Sequence, residues 1–354
     1  FRGFGTDLSK LFGESYTMLA VDSVSFADVA WFRDDFSNEP LDELLRSLET
    51  PSLMDGISIP AGAYTIGVTL KPDRPHPSTV ATVRIRDTND RHFTYVLGRL
   101  HSEDWIDLES SLSRSDPTRR RQLLQPMPPL KLVALSFLEP NGRSRLRAGS
   151  ASIDEIWVRT RTDGLQTLDS FDDPSTWNVI RLAPGSVTDG IQSSVTTSDG
   201  VGAAVTFVWS GGRPLLGRGL FYGRPMSALP VIASESFLKG ARHGLDEEFM
   251  VSAQGHRILV RTVGSVDYFP TLDTINERYL IADLTSLSRY ANLETVSGEL
   301  RPNEIWILSG TSNSGRQALI DRLEADDPFF AREVHDRAEA LADSDVDPLV
   351  GTHW

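Results

Sequence analysis

From Gly56 to about residue 163 the apolar residues of this chain recur at every second position, and no helical period interrupts them. Tyr64, Ile66, Val68 and Leu70 alternate with Thr65, Gly67 and Thr69. Ala81, Val83 and Ile85 alternate with Thr82, Arg84 and Arg86, and Phe93, Tyr95 and Leu97 continue the pattern. Turn residues separate the runs, first at Lys71-Pro-Asp-Arg-Pro75 and then at Asp87-Thr-Asn-Asp90. Further strands are expected at Trp105–Leu108, Leu130–Leu138 and Ile153–Thr160, the last two joined through Pro140-Asn-Gly-Arg143. Short strands bounded by turn signals predict an antiparallel β-sandwich, jelly-roll-like, over residues 57–163.

The flanks read differently. Met18, Ala20 and Val21 begin a strand, and Leu41, Leu44, Leu45 and Leu48 have helical spacing behind Pro40, with Pro51 closing the helix. Residues 1–56 therefore form the first part of an α+β core domain. Residues 164–226 stay β-like but poorer in apolar runs, with glycines clustered from Gly211 to Gly223, and read as a β-rich connecting segment. From residue 227 to 354 the pattern is mixed again. Strands are expected at Phe249–Ser252, Ile258–Thr262 and Ile305–Leu308. Asp283 caps a helix bearing Leu284, Leu287 and Ala291. Ser314-Gly-Arg-Gln317 reads as a capping box, and a last helix carries Val334, Ala338 and Leu341. The two mixed pieces are expected to pack together as one α/β core split by the sandwich.

Composition excludes several classes of function. With no cysteine among 354 residues, disulfide scaffolds, thiol catalysis and cysteine-based metal sites are out. A net charge of -14 repels nucleic acid and anionic lipid. Arg119-Arg120-Arg121 is the one dense basic run, either a solvated loop or a phosphate contact. The longest apolar stretch, Leu130–Leu138, holds Lys131 and Ser136 and is far shorter than the roughly 20 residues a membrane helix needs. A first residue that is Phe1 and not Met suggests a piece of a longer polypeptide.

No catalytic constellation is complete. There is no Gly-Lys-Ser/Thr for a nucleoside triphosphate, and Gly310-Thr-Ser-Asn-Ser-Gly315 lacks nucleophile-elbow spacing. The seven histidines, among them His92, His243 and His256, show no metal-ligand spacing. The acidic runs Asp34-Asp35, Asp246-Glu247-Glu248 and Asp326-Asp327 read as solvated faces. A non-enzymatic role is therefore the expectation, with an enzyme whose site lies across the domain junction as the least supported alternative. Two features keep a binding role open. Trp105, Trp157 and Trp177 lie on or beside β-runs, where they either fill the core or, as ligand contacts, stack on a sugar. Asp154, followed by Asp169, Asp172 and Asp173, offers oxygen ligands for a structural Ca²⁺.

Longer segments carry a family resemblance. Leu229-Pro-Val-Ile-Ala-Ser-Glu-Ser-Phe-Leu238, Gly244-Leu-Asp-Glu-Glu-Phe249, Ile258–Thr262 and Gly264-Ser-Val-Asp-Tyr-Phe-Pro-Thr-Leu272 are the first of them. Leu280-Ile-Ala-Asp-Leu284, Pro302-Asn-Glu-Ile-Trp-Ile-Leu308, Val334-His-Asp-Arg337 and Asp347-Pro-Leu349 follow, with Phe26-Ala-Asp-Val-Ala-Trp-Phe-Arg-Asp-Asp-Phe36 near the start. Together they resemble the extracytoplasmic core domain of FtsX-like (MacB-like) ABC transporter permeases. The match covers about 16–50 and 227–350, leaving the sandwich as an insertion of a large-loop branch. The resemblance implies a cell-membrane protein whose soluble part lies on the extracytoplasmic side, tethered by transmembrane helices of the same parent chain. It further implies ATP hydrolysis by a separate cytoplasmic ATPase subunit, and contact of this domain with an envelope protein or exported substrate. The competing expectation, from the sandwich and its tryptophans, is a carbohydrate-binding or glycosidase-accessory protein.

Overall fold

The strand periods convert directly into elements. In the computed structural model the described residues are 1–10, 13–33, 36–37, 39–50, 55–112, 125–139, 147–182, 188–194, 197–198, 200, 203–211, 217–225, 227–272, 277–293, 298–309, 312–325, 331 and 333–336. In chain order they form β1 (Arg2–Asp7), β2 (Ser15–Val21), α1 (Phe26–Val29), α2 (Leu41–Ser47), β3 (Ile57–Ile59), β4 (Ala63–Pro72), β5 (His76–Arg86) and β6 (His92–Leu100). Then come β7 (Ile106–Ser111), β8 (Leu130–Leu138), β9 (Gly149–Thr160), β10 (Gly164–Asp169), β11 (Trp177–Val179), β12 (Gly190–Ser194), β13 (Ala204–Trp209) and β14 (Arg218–Tyr222). The series ends with β15 (Leu229–Ser234), α3 (Glu235–Ala241), β16 (Glu248–Ala253), β17 (His256–Val266), β18 (Tyr279–Asp283), α4 (Leu284–Ala291) and α5 (Asn313–Glu324). The protein is a β-rich α+β protein. Phe1–Glu304 and Ile305–Trp354 are separate units, the second holding α5.

The first unit joins two layers of construction. Six strands close a barrel in the order β1-β16-β17-β15-β18-β2, with β18 parallel to β2 and β15 parallel to β17. One residue in two along five of the six strands enters a shared core: Met18 and Ala20, Val231 and Ala233, Val251 and Ala253, Ile258 and Val260, Leu280 and Ala282. Small residues keep this interior narrow. At Gly5 a Cβ would stand 2.3 Å from the Tyr16 ring, so β1 packs through glycine where other strands use apolar side chains. Phe237 of α3 and Leu287 and Tyr290 of α4 complete the cluster.

Between β2 and β15 the chain builds two antiparallel sheets. One has the order β12-β13-β9-β4-β7 with β10 on β9, the other β11-β14-β8-β5-β6 with β3 on β8. They face each other over one core containing Ile66, Val68, Val83, Ile85, Leu135, Phe137, Ile153, Phe207 and Trp209. Residues 164–226, expected to be a connecting segment, instead supply β10 to β14. Each of these strands is only three to six residues long, too short for a clear period, although β13 and β14 lie inside their sheets.

Two other expectations are corrected. Residues Ile305–Leu308 form no strand, and three of the four are well exposed, because the run finds no sheet edge to join. The cap of α5 is Ser312, which accepts from the Gly315 amide at 3.4 Å, rather than Ser314. Asp283 does cap α4, accepting from the Ser286 amide at 2.8 Å. Of the last expected helix, Ala338 and Leu341 lie outside the described residues, as do Arg119-Arg120-Arg121, Asp34-Asp35, Asp326-Asp327 and the Pro140–Arg143 turn.

The two sheets are tied at one edge by a sealed ion pair. Arg218 at the head of β14 donates from Nε to Asp189 Oδ2 at 2.6 Å, and both side chains are closed to solvent. Asp189 also accepts from the Ser210 amide at 3.2 Å, just after β13. Removing one partner of such a pair leaves a buried uncompensated charge. Asp189→Ala is expected to lower the unfolding free energy by about 3–5 kcal/mol, read from urea denaturation curves. A loss below about 1 kcal/mol would mean the guanidinium finds water.

Candidate functional site: the junction between barrel and sheets

Residues that the period of β5 points away from the sandwich core do not reach water. Thr82, Arg84 and Arg86 are all at most 6% exposed, covered by the barrel side of the molecule. Arg84 donates from Nε to the carbonyl of Asn292, the C-cap of α4, at 2.9 Å, and from Nη1 to Thr94 Oγ1 at 2.6 Å. Arg86 pairs with Asp90 at 3.4 Å and reaches the Asp55 carbonyl at 3.3 Å. Arg289 of α4 places Nη2 at 3.2 Å from both oxygens of the same Asp90. Apolar contacts run alongside, since Ala134 of β8, Phe221 of β14, Ile180 and Leu182 belong to the barrel's core cluster.

The hairpin that carries Asp90 is itself locked. Asp87 accepts from the Asn89 and Arg91 amides at 2.8 and 3.0 Å and from Arg91 Nη2 at 2.7 Å. This is the local turn chemistry expected of Asp at such a position. Burial alone would raise the Asp87 carboxyl, but Arg91 and the turn amides outweigh it and hold it below the usual carboxylate range. Glu299 accepts from the His92 amide at 2.7 Å, and Asn292 is bonded both ways to Leu300, so the chain leaving α4 is fixed to the same hairpin. Burial, then the nearby Arg289, push the Arg86 guanidinium down.

His92 sits among Arg84, Arg86 and Arg289. Burial, then the first two guanidinium charges, depress its imidazole to about 3.

A pocket of about 250 Å³ adjoins the junction at the C-terminal ends of the parallel strands β2 and β18. Asp22, Glu49, Thr50, Asp283, Ser286 and Arg289 line it. Its polar groups bond largely to one another: Asp283 accepts from Ser23 Oγ at 2.9 Å, and Thr50 and Ser286 hydroxyls lie 2.8 Å apart. The volume falls below the usual range for small-molecule sites, roughly 300–1,000 Å³.

A second cluster stands at the rim of the barrel. His243 Nε2 lies 3.0 Å from Asp7 Oδ2 and 3.3 Å from Ser9 Oγ, and Nδ1 lies 2.8 Å from Glu247 Oε1. The ring stacks on Phe249 with centroids 3.8 Å apart. A serine, a histidine and a carboxylate in this order resemble a nucleophile, base and orienting acid. Here, however, the Ser9 hydroxyl already donates to Asp7 at 2.6 Å, and Asp7 also occupies Nε2. The imidazole therefore has no lone pair directed at Ser9. The cluster joins the end of β1 to the loop before β16. Burial raises the Asp7 carboxyl, but bonds from Ser9 and His243 more than reverse this and lower it.

The sites expected from sequence fall elsewhere. Trp177 is 2% exposed, with its ring against Phe171 and Tyr222 and its indole N–H donating to Asp169 at 3.1 Å. Its faces are filled by protein, so its expected role as a stacking platform gives way to core packing. Trp157 is equally buried, lying over Gly67 and donating to Thr69 Oγ1 at 3.2 Å. Trp105 is half-buried just before β7. The expected calcium ligands are likewise corrected. Asp154 accepts from the Ser198 amide at 3.1 Å, Asp169 from Phe171 and Trp177, and Asp172 from Ser170 at 2.7 Å. Among the described residues no group of three His, Asp or Glu side chains is placed to hold a metal ion. Each carboxylate is used by a local turn or strand neighbour instead.

The junction was hidden from sequence reasoning because Arg84 and Arg86 occupy the positions a solvent face would have. The clue was the sheer length of the apolar run at β8, which marks a strand covered on both sides. No helix among the described residues is long and apolar enough to cross a membrane.

The depressed imidazole gives the junction a pH dependence. The folded state keeps His92 neutral down to about 3, whereas the unfolded chain takes up the proton near 6.5. Stability is therefore full above 6.5 and falls as pH drops toward 3, by up to about 1.4 kcal/mol per pH unit. His256, also pushed down by burial, acts in the same direction. Thermal unfolding from pH 7 to pH 4 should show a steeper decline in the parent sequence than in His92→Gln. Parallel curves would mean the imidazole is protonated in place.

Comparison of the chain with protein-family models, with curated proteins and with solved structures finds no match in any of the three.

Proposed function

We propose that this chain is the extracytoplasmic domain of an FtsX-like (MacB-like) ABC transporter permease, a non-catalytic body that couples helix motion to contact with an envelope protein or exported substrate. The observation that carries this reading is the way the unit is closed. Strands from residues 2–21 and 229–283 complete one barrel, so the long insert does not separate the two parts of the core. The first and last residues of this unit then run side by side: the Arg2 amide donates to Asn303 Oδ1 and Asn303 Nδ2 donates to the Arg2 carbonyl, each at 2.8 Å. Arg2 Nε also meets Glu304 at 2.5 Å. A domain carried between two membrane helices of its parent chain suits this arrangement.

The junction supplies the mechanical property such a role needs. A force arriving at the barrel passes into the sheets through the contacts of Arg84 with Asn292 and of Arg289 with Asp90, as in the rigid-body transitions of coupled domains. The jelly-roll-like insert and the permease-type core are the finer parts of this same reading.

The experiment is to isolate the parent protein from its native membranes. It should resist alkaline extraction and co-purify with a separate ATPase subunit. Its sequence should carry apolar helices of about 20 residues on either side of this segment. A parent protein that extracts as a free soluble species, or that turns over a substrate without an ATPase, overturns the proposal.

A further inference from the structure

A row of aromatic rings leads from the interior of the first unit to its surface. Phe26 and Phe269 are buried and stacked, with centroids 5.6 Å apart. Phe32 meets Phe269 at 6.2 Å and Phe36 at 5.4 Å. Phe36 in turn meets Trp31 at 5.7 Å and Tyr268 at 5.8 Å. The two outermost rings are open to solvent, Trp31 at 49% and Tyr268 at 44%. The guanidinium of Arg33 stands 5.7 Å from the Phe36 ring centre.

This row lies beside the start of the chain. Arg2 donates to the carbonyl of Thr271 at 3.2 Å and to its hydroxyl at 2.5 Å, within the turn that carries Tyr268 and Phe269. Phe4, two residues along the same outward face of β1, is 85% exposed. Single exposed apolar residues are ordinary, but aromatics gathered around one strand end are a surface with a use.

We infer that Trp31, Phe36, Tyr268 and Phe4 form an interfacial rim that rests in the headgroup region of a zwitterionic lipid bilayer. The inference rests on the permease reading, which puts a membrane helix before Phe1 and hence the bilayer beside Arg2. The residue types fit. Tryptophan and tyrosine favour the water–lipid boundary, where the ring is buried in the acyl edge while the N–H or O–H stays hydrated. Arg33 places a cation at the depth of the phosphates. With a net charge of -14 the protein as a whole is repelled by anionic lipid, which selects zwitterionic headgroups.

This segment contains no cysteine, so once any cysteines in the rest of the parent are replaced a direct test is available. The parent protein, reconstituted in phosphatidylcholine nanodiscs containing a spin-labelled lipid, is given one cysteine at a time and labelled with a fluorophore. Asp28→Cys and Asp267→Cys flank the rim, and Val96→Cys on β6 serves as reference. Fluorescence at 28 and 267 should fall roughly twofold or more relative to 96, as expected of groups at the headgroup level. Trp31→Ser with Tyr268→Ser should weaken that quenching while leaving the thermal unfolding curve unchanged. Equal quenching at all three positions in a parent that does insert overturns the rim and leaves the permease reading standing. A parent that does not insert removes both. Shielding that is independent of spin-labelled lipid and rises with protein concentration assigns the surface to a second copy and also overturns the rim.

Discussion

The desolvated contact between β5 and α4 decides how this molecule behaves as a whole. Burying guanidinium groups costs several kcal/mol each unless acceptors replace the lost water. Arg84 is met by the Asn292 carbonyl and Thr94, while Arg86 and Arg289 converge on Asp90. Arg84 and Asp90 belong to the sheet and Asn292 and Arg289 to the barrel side, so the Arg84–Asn292 and Arg289–Asp90 bonds form only when barrel and sheets are in register. The Arg84–Asn292 bond is buried and so escapes solvent screening, whereas the pairs to the half-open Asp90 are screened in part. Apolar contact through Ala134 and Phe221 supplies the non-directional part, and the arginines supply the geometry.

This contact also explains the unusual middle layer of the molecule. The sheet β11-β14-β8-β5-β6 is covered on one side by the facing sheet and on the other by the barrel. Its central strand β8 reads as one continuous apolar run for that reason. A neutral histidine among three arginines belongs to the same design: protonating the buried His92 would add a fourth cation where Asp90 is already shared. Stability and rigidity of the junction are thus linked to the same desolvation.

Barrel closure is the other long-range commitment. β2 and β18 pair in parallel although the whole sandwich lies between them in sequence. Contacts of this kind form late, since the loop they close must first be ordered. They bring Arg2 to Asn303 and the aromatic turn at 268–272, so one side of the first unit gathers its first and last residues, the exposed rings and the polar pair that holds them. The rim cluster of His243, Asp7 and Glu247 reinforces the barrel where β1 would otherwise fray.

Local sequence was sufficient for strands β4, β5, β6, β8 and β9, for helix α2 and for the Asp283 cap, because each depends on a period or a short-range hydrogen bond. It also separated the inward set Ala81, Val83 and Ile85 from the outward set Thr82, Arg84 and Arg86. What it could not settle is what lies outside a face, since burial by a remote element leaves no periodic trace. Strand β1 escaped because Gly3 and Gly5 fill its inward positions, their space being taken by the rings of Phe1 and Tyr16. Trp177 looked available for a ligand until Phe171 and Tyr222 closed on it, and the three aspartates looked like a metal set until each was drawn to its own neighbour. Sequence determined which residues alternate and where the chain turns. Only the tertiary structure decided that two faces meet, since the free energy of their contact belongs to pairs of residues far apart along the chain.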